Sequence, residues 1–199
     1  MSISPSSSLR SLSITICSLA LLAACDGGPK FKSTDITGAD YGKALELPDT
    51  SGRVRRFADF HGKAVVVFFG FTHCPDVCPT TLADMAGVMK KLGPDADRVQ
   101  MVFITVDPER DTPEALQKYV QAFDPRFIAL RGDPAQTQAT AKDFKIFYEK
   151  RKEGDSYTVD HSAQSYVFDP RGRLRLLVRP QQIAADLPDD LRVLLKESS

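Results

Sequence analysis

Residues 64–79 read Ala-Val-Val-Val-Phe-Phe-Gly-Phe-Thr-His-Cys-Pro-Asp-Val-Cys-Pro. The run from Ala64 to Phe71 is continuously apolar and β-branched, as expected of a strand covered on both faces. It leads straight into Cys74 and Cys78. Pro79 suits the first turn of a helix and not its interior. The pattern therefore predicts a helix from Pro79, with Cys78 near its N-cap and Leu82, Met85, Val88, Met89 and Leu92 on one face. Gly93 ends it. Two thiols at the carboxyl end of a buried strand, beside a helix N-terminus, make a redox couple or part of a soft-metal site.

Outward from that stretch the chain alternates strands and helices. Val99–Val106 reads as a second buried strand and 107–113 as a loop. Thr112 and Pro113 read as N-cap and N1 of a helix reaching Phe123. Phe127–Leu130 is a short strand and Pro134–Phe144 a helix. The period then changes. Ile146–Lys152 alternates as a strand, and Tyr157-Thr158-Val159 leads to Asp160-His161-Ser162. Gln164–Phe168 and Leu174–Val178 flank the hairpin signal Asp169-Pro170-Arg171-Gly172. Ile183–Lys196 is a closing helix, irregular around Pro188. Before the decisive strand, Ala44–Asp49 reads as strand and turn, and Arg55–Phe60 as a helical turn. Parallel strands first and an antiparallel hairpin last describe an α/β, thioredoxin-like sandwich, a central mixed sheet flanked by helices. In such units the loops at the strands' carboxyl ends carry function.

The 199 residues, 42% hydrophobic, suit one domain with some extra length. Lys and Arg total 26 against 26 Asp and Glu, so no broad field points to nucleic acid. Four cysteines are too few for a disulfide scaffold. Residues 1–24 read as an export signal: Arg10, then an uncharged, mostly apolar stretch shorter than the roughly 20 residues of a membrane span. Leu22-Ala23-Ala24-Cys25 resembles a bacterial lipobox, which makes Cys25 the lipidated N-terminus, and Asp26 resembles an inner-membrane retention mark. The expected division is signal peptide 1–24, membrane-proximal tether 25–39 and domain 40–199. The expected location is the periplasmic side of the bacterial inner membrane, lipid-anchored.

After cleavage Cys74 and Cys78 are the remaining thiols, in an oxidising compartment. A helix N-terminus favours their thiolate forms. Thiolates are soft and favour Cu(I); one imidazole would make the site trigonal and suit Cu(II) as well. Structural zinc wants four ligands, a poor fit to two thiols and three histidines. His73 precedes Cys74, so its ring is expected to point away and shape the turn. His61 precedes Gly62 at an exposed turn. His161 enters the penultimate strand in a loop that, on this fold, faces the cysteines, and is the expected third ligand. Asp76 lies between the thiols, with Asp107 and Asp111 expected beside them. They read as an electronegative lip in a second shell or as ordinary loop caps, with capping preferred for Asp107 and Asp111.

FFGFTHCPDVCPTTL, VFITVDPERDTPEALQKYV and VDHSAQSYVFDPRG together resemble the three signatures of the Sco/SenC family of copper-binding cytochrome c oxidase assembly proteins. The likeness spans about residues 40–195, in order and spacing. It implies a thioredoxin-like fold with one copper, Cu(I) or Cu(II), held by Cys74, Cys78 and His161. It also implies a role in assembling the binuclear copper (CuA) centre of oxidase subunit II, by copper delivery or by reduction of the target's cysteines. A periplasmic copper chaperone or thiol reductant would be a further partner. The lipobox departs from the transmembrane anchor of many relatives. Two other readings use the same cysteines: a thiol–disulfide oxidoreductase of thioredoxin type, and a structural disulfide in a binding module.

Overall fold

A computed structural model describes residue 1 and residues 30–197. The chain divides into two units, Met1–Lys30 and Phe31–Ser199, and the domain is the second. Cys17, Cys25 and the signal reading fall outside the described residues.

The strands are β1 (Thr34–Asp35), β2 (Glu46–Pro48), β3 (Val54–Arg56), β4 (Ala64–Gly70), β5 (Val99–Thr105), β6 (Ile128–Leu130), β7 (Tyr148–Glu153), β8 (Ser156–His161), β9 (Ser165–Phe168) and β10 (Leu174–Val178). The helices are α1 (Val77–Leu92), α2 (Pro113–Gln121), α3 (Pro134–Asp143), α4 (Pro180–Ile183) and α5 (Leu187–Lys196). Six strands form the central sheet in the order β1-β10-β9-β4-β5-β6. β4 runs parallel to β5 from Ala64↔Val99 to Gly70↔Thr105, and β5 runs parallel to β6. β9 joins the other side of β4 antiparallel, followed by β10 and β1. The sheet is mixed, as expected. α1 packs against α4 and α5, α5 against β4, and α2 against β6.

Burial explains the apolar run. All seven residues of β4 are buried, because strands pair on both of its edges and helices cover it. Each Val or Phe taken out of water there contributes about 1.5–3 kcal/mol. The facing strand β5 is buried but for Gln100. α1 sinks Cys78, Leu82, Met85, Val88, Met89 and Leu92 into the same core and places Lys90 and Lys91 at its carbonyl end.

The expected elements mostly form. Thr112 caps α2 by accepting from Ala115 N–H at 3.2 Å, with Pro113 at N1. The hairpin 169–172 closes with Gly172 N–H donating to the Asp169 carbonyl at 2.8 Å. Its glycine stands at φ 76°, where a side chain would be strained.

Four expectations need correction. α1 starts at Val77, not Pro79, because proline costs no hydrogen bond anywhere in the first turn. The closing helix is two pieces, since Pro188 sits in the first turn of α5 rather than kinking a continuous helix. Residues 31–39 belong in large part to the domain and not to a tether. Lys32 and Ser33 N–H donate to the buried carboxylate of Asp190 at 2.8 and 2.9 Å, and β1 pairs with β10. Finally, β7 and β8 make a two-stranded sheet of their own, apart from the central one. His161 is thus the last residue of a strand and not part of a loop.

Candidate metal centre

Three elements converge where β4 ends. Cys74 lies in the connection 71–76, Cys78 at the second position of α1, and His161 at the end of β8. Their donor atoms all lie within 4.8 Å of one another. His161 Nε2 is 3.6 Å from Cys78 Sγ, and the ring's Nδ1 is 2.9 Å from the Ser162 carbonyl. A carbonyl only accepts, so Nδ1 carries the proton and Nε2 turns its lone pair toward the sulfurs. A backbone partner that fixes the tautomer in this way is characteristic of ligating imidazoles. Phe68 and Phe71 meet the ring edge-on, at centroid distances of 6.1 and 5.7 Å.

The two thiols differ. Cys78 is fully buried and Cys74 is 9% exposed. The Cys78 thiol donates to Cys74 and holds it well below the ordinary thiol range, at about 4; the Asp76 and Cys78 N–H groups assist against the cost of burial. Cys78 is pushed up, first as the donor in that bond, then by burial and by the charge on Cys74. At neutral pH the pair is one thiolate and one thiol. Gly70 makes room for it: a Cβ there would meet Cys78 Sγ at 2.8 Å and the Phe103 ring at 2.9 Å. The glycine in the apolar run was the signal for this close approach.

The aspartates divide. Asp76 is exposed at the N-cap of α1 and makes no side-chain capping bond. Asp107 and Asp111 are fully buried, so they form no exposed charged lip, and Asp111 caps a backbone N–H of the cysteine loop. Asp111 accepts from Thr72 N–H at 3.2 Å, Thr72 Oγ1 at 2.6 Å and Thr105 Oγ1 at 2.5 Å. It ties the cysteine loop to the end of β5. Asp107 accepts from Tyr157 Oη at 2.8 Å and from Arg110 Nε. Of the other histidines, His61 is exposed and lines a cleft with Phe57, Phe168 and Arg171. His73 is exposed, and its Nδ1 is 3.1 Å from Thr72 Oγ1. Neither belongs to the three-residue group. Reading the residues missed Gly70, Thr72, Arg110 and Tyr157. Tyr119 was missed too; its hydroxyl is buried without a partner, and burial, then the charges on Cys78 and Cys74, push it up.

The donor set fits a soft ion. Thiolate and imidazole bonds of about 2.3 and 2.0 Å opened to 120° put the donor atoms about 3.7 Å apart, and the observed N–S distance is 3.6 Å. Two sulfurs and one nitrogen suit copper better than a hard cation.

The fold and this site define a thioredoxin-like protein with a Cys-Cys-His centre able to take a soft metal ion. The SCO1/SenC family profile matches residues 33–196, and the chain belongs to that family. Sco proteins are a family of cytochrome c oxidase assembly proteins. The chain is similar to the mitochondrial SCO2 homolog of Mus musculus, 44% identical over 132 residues, 64% of this chain and 52% of the relative. It spans about half the length of the curated mammalian relatives it matches. Among solved structures it is similar to Bradyrhizobium japonicum ScoI with copper bound, at 38% identity and TM-score 0.65, covering 74% of this chain and 95% of that one. It is also similar to apo Sco1 from Thermus thermophilus, at 38% identity and TM-score 0.73, covering 85% and 98%.

Proposed function

We propose that this chain binds one copper ion between Cys74, Cys78 and His161 as cargo. Its task is to help assemble the CuA centre of cytochrome c oxidase subunit II. It works on the periplasmic side of the bacterial inner membrane, tethered through a lipid on Cys25. The observation that carries the reading is the convergence of three soft donors with Nε2 of His161 free to ligate. Membership of a family of oxidase assembly proteins supports it, as does copper in the Bradyrhizobium relative. The thiolate of Cys74 is ready to take the ion, and Cys78 gives up its proton on binding. The imidazole closes the third side, and the Phe68 and Phe71 rings shield it.

A second use of the same pair is favoured by its asymmetry: a partly accessible thiolate beside a buried thiol. Cys74 attacks a disulfide of the target, and one target sulfur leaves as thiolate. Cys78, losing its proton, then attacks Cys74 Sγ. The target leaves with both cysteines reduced and the pair becomes a disulfide, a two-electron exchange. Delivery and reduction are alternative outputs of one site.

Titration of the reduced protein with Cu(I) against a competing chelator tests the reading. One ion per chain is expected, with affinity falling at least a hundredfold in Cys78→Ser. Cu(II) should give a thiolate charge-transfer band that His161→Ala loses. Binding unaffected by Cys78→Ser would overturn the reading. Rapid copper-independent reduction of insulin disulfides would favour the oxidoreductase.

A further inference from the structure

The strand that carries His161 has little to hold it. β7 and β8 pair only with each other, and β7 is exposed at every residue from Glu149 to Glu153. On β8 only Val159 is buried. Hydrophobic burial anchors this hairpin far less than β4 and α1, through Val159 with Tyr148 and Tyr157 packed at the edge of the core, yet its last residue must meet two sulfurs within ångströms.

Side chains of the loop after β5 tie it to the sheet: Glu109 pairs with Lys150 of β7 at 2.6 Å, an exposed ion pair of small worth, and a more buried group is centred on Arg110. Arg110, in the loop after β5, donates Nη1 to the Tyr157 carbonyl at 2.7 Å and Nε to Asp107. Its guanidinium lies 3.7 Å from the Tyr157 ring centroid and 5.9 Å from that of Phe71. Asp107 also takes the Tyr157 hydroxyl at 2.8 Å. Tyr157 is therefore held by its ring, its hydroxyl and its carbonyl. Tyr157 and His161 are four residues apart on one strand, so they share a face, about 13 Å apart. Holding the first sets the face and height of the second, and a one-residue slip would turn the imidazole away. The far end is tied by backbone: Ser162 N–H donates to the Phe147 carbonyl at 2.9 Å, and Tyr148 pairs with His161.

We propose that Arg110, with Asp107 and Tyr157, is the positioning group for the imidazole, setting whether His161 Nε2 stands against the sulfurs. The consequence for copper rests on the metal-centre reading above. Asp111, four residues from Asp107, holds the cysteine loop in the same way. One loop thus holds both halves of the site.

The test uses the full chain with Arg110→Met and Tyr157→Phe, Arg110→Lys as the conservative change and His161→Ala as reference. In the reduced, metal-free protein, amide exchange across 156–161 should quicken about tenfold or more in Arg110→Met, with β4 and β5 unchanged. Loaded with Cu(II), Arg110→Met should bind about tenfold more weakly, the lower end for residues supporting a ligand, and its charge-transfer band should move toward that of His161→Ala. Cu(I), held mainly by the sulfurs, should weaken less than threefold. Arg110→Lys keeps the charge without the fork and should fall between. If Arg110→Met does not fold, Tyr157→Phe, which loses one hydroxyl, supplies the exchange measurement. Unchanged exchange in the folded variants overturns the inference. So does a wild-type copper band in Arg110→Met when His161→Ala has lost it. A His161→Ala protein that keeps the band overturns the metal-centre reading, and with it the copper half of this inference, while exchange still decides the tie.

Discussion

The cysteine loop and the β7–β8 hairpin supply the same site by opposite means. The loop joins a strand buried at all seven positions to a helix with seven buried residues, and a buried carboxylate clamps it at Thr72. The hairpin is largely exposed; it buries Val159 and is tied down by the Arg110–Asp107–Tyr157 latch and an exposed Lys150–Glu109 pair. Two of the three donors are therefore built into the core, and the third is attached to it. A site made this way keeps its sulfurs in place while its imidazole can leave at smaller cost, which would suit release of the ion under the function proposed above.

The comparison predicts unequal costs. The largest falls on the loop. Asp111→Ala leaves the donors of Thr72 and Thr105 without their acceptor, and unfolding by urea should show a loss of about 3 kcal/mol. Next is Gly70→Ala, whose new methyl lies against Cys78 Sγ and Phe103; the overpacking should cost about 1–3 kcal/mol and displace the sulfur. Tyr157→Phe, on the hairpin, should cost at most about 1 kcal/mol of global stability. A Tyr157→Phe loss as large as that of Asp111→Ala would erase the distinction between the two regions.

The pH dependence sharpens the contrast between the two sulfurs. Cys74 is depressed in the folded protein to about 4, below the ordinary thiol value. Its stabilising contribution is therefore present in full above the unfolded value and is lost as pH falls toward about 4. Cys78, raised, works in the other sense and loses its contribution as pH climbs above the unfolded value. Alkylation of the reduced protein should thus modify Cys74 first. Its rate should change little between about pH 6 and 8 and drop as pH approaches about 4. A rate that climbs steadily through pH 8, as for a free thiol, would contradict the Cys78-to-Cys74 hydrogen bond.

What could be read from the residues follows the same division. The apolar run 64–71, the helix starts at Thr112-Pro113 and at Pro134 and the turn at Gly172 are local signals, and the structure bears them out. His161 was legible as a candidate because the topology places the entry to β9 opposite the cysteines. The start of α1 was misjudged by two residues because Pro79 is tolerated throughout the first turn. The aspartates and the latch were not legible. Asp111 acts on Thr72, 39 positions away, and Arg110 acts on Tyr157, 47 away, and no spacing rule joins them. A buried carboxylate and an exposed cap look alike in a Pro-rich loop until the partner strand is in place.

The central claim is that His161 completes a site of two sulfurs. X-ray absorption at the copper edge, on the reduced full chain loaded with one equivalent, tests it most directly. The expected first shell is two sulfur scatterers and one nitrogen scatterer, the nitrogen with the outer-shell pattern of an imidazole, and His161→Ala should lose that pattern while keeping both sulfurs. A sulfur-only shell, or an imidazole signal that survives His161→Ala, would contradict the account.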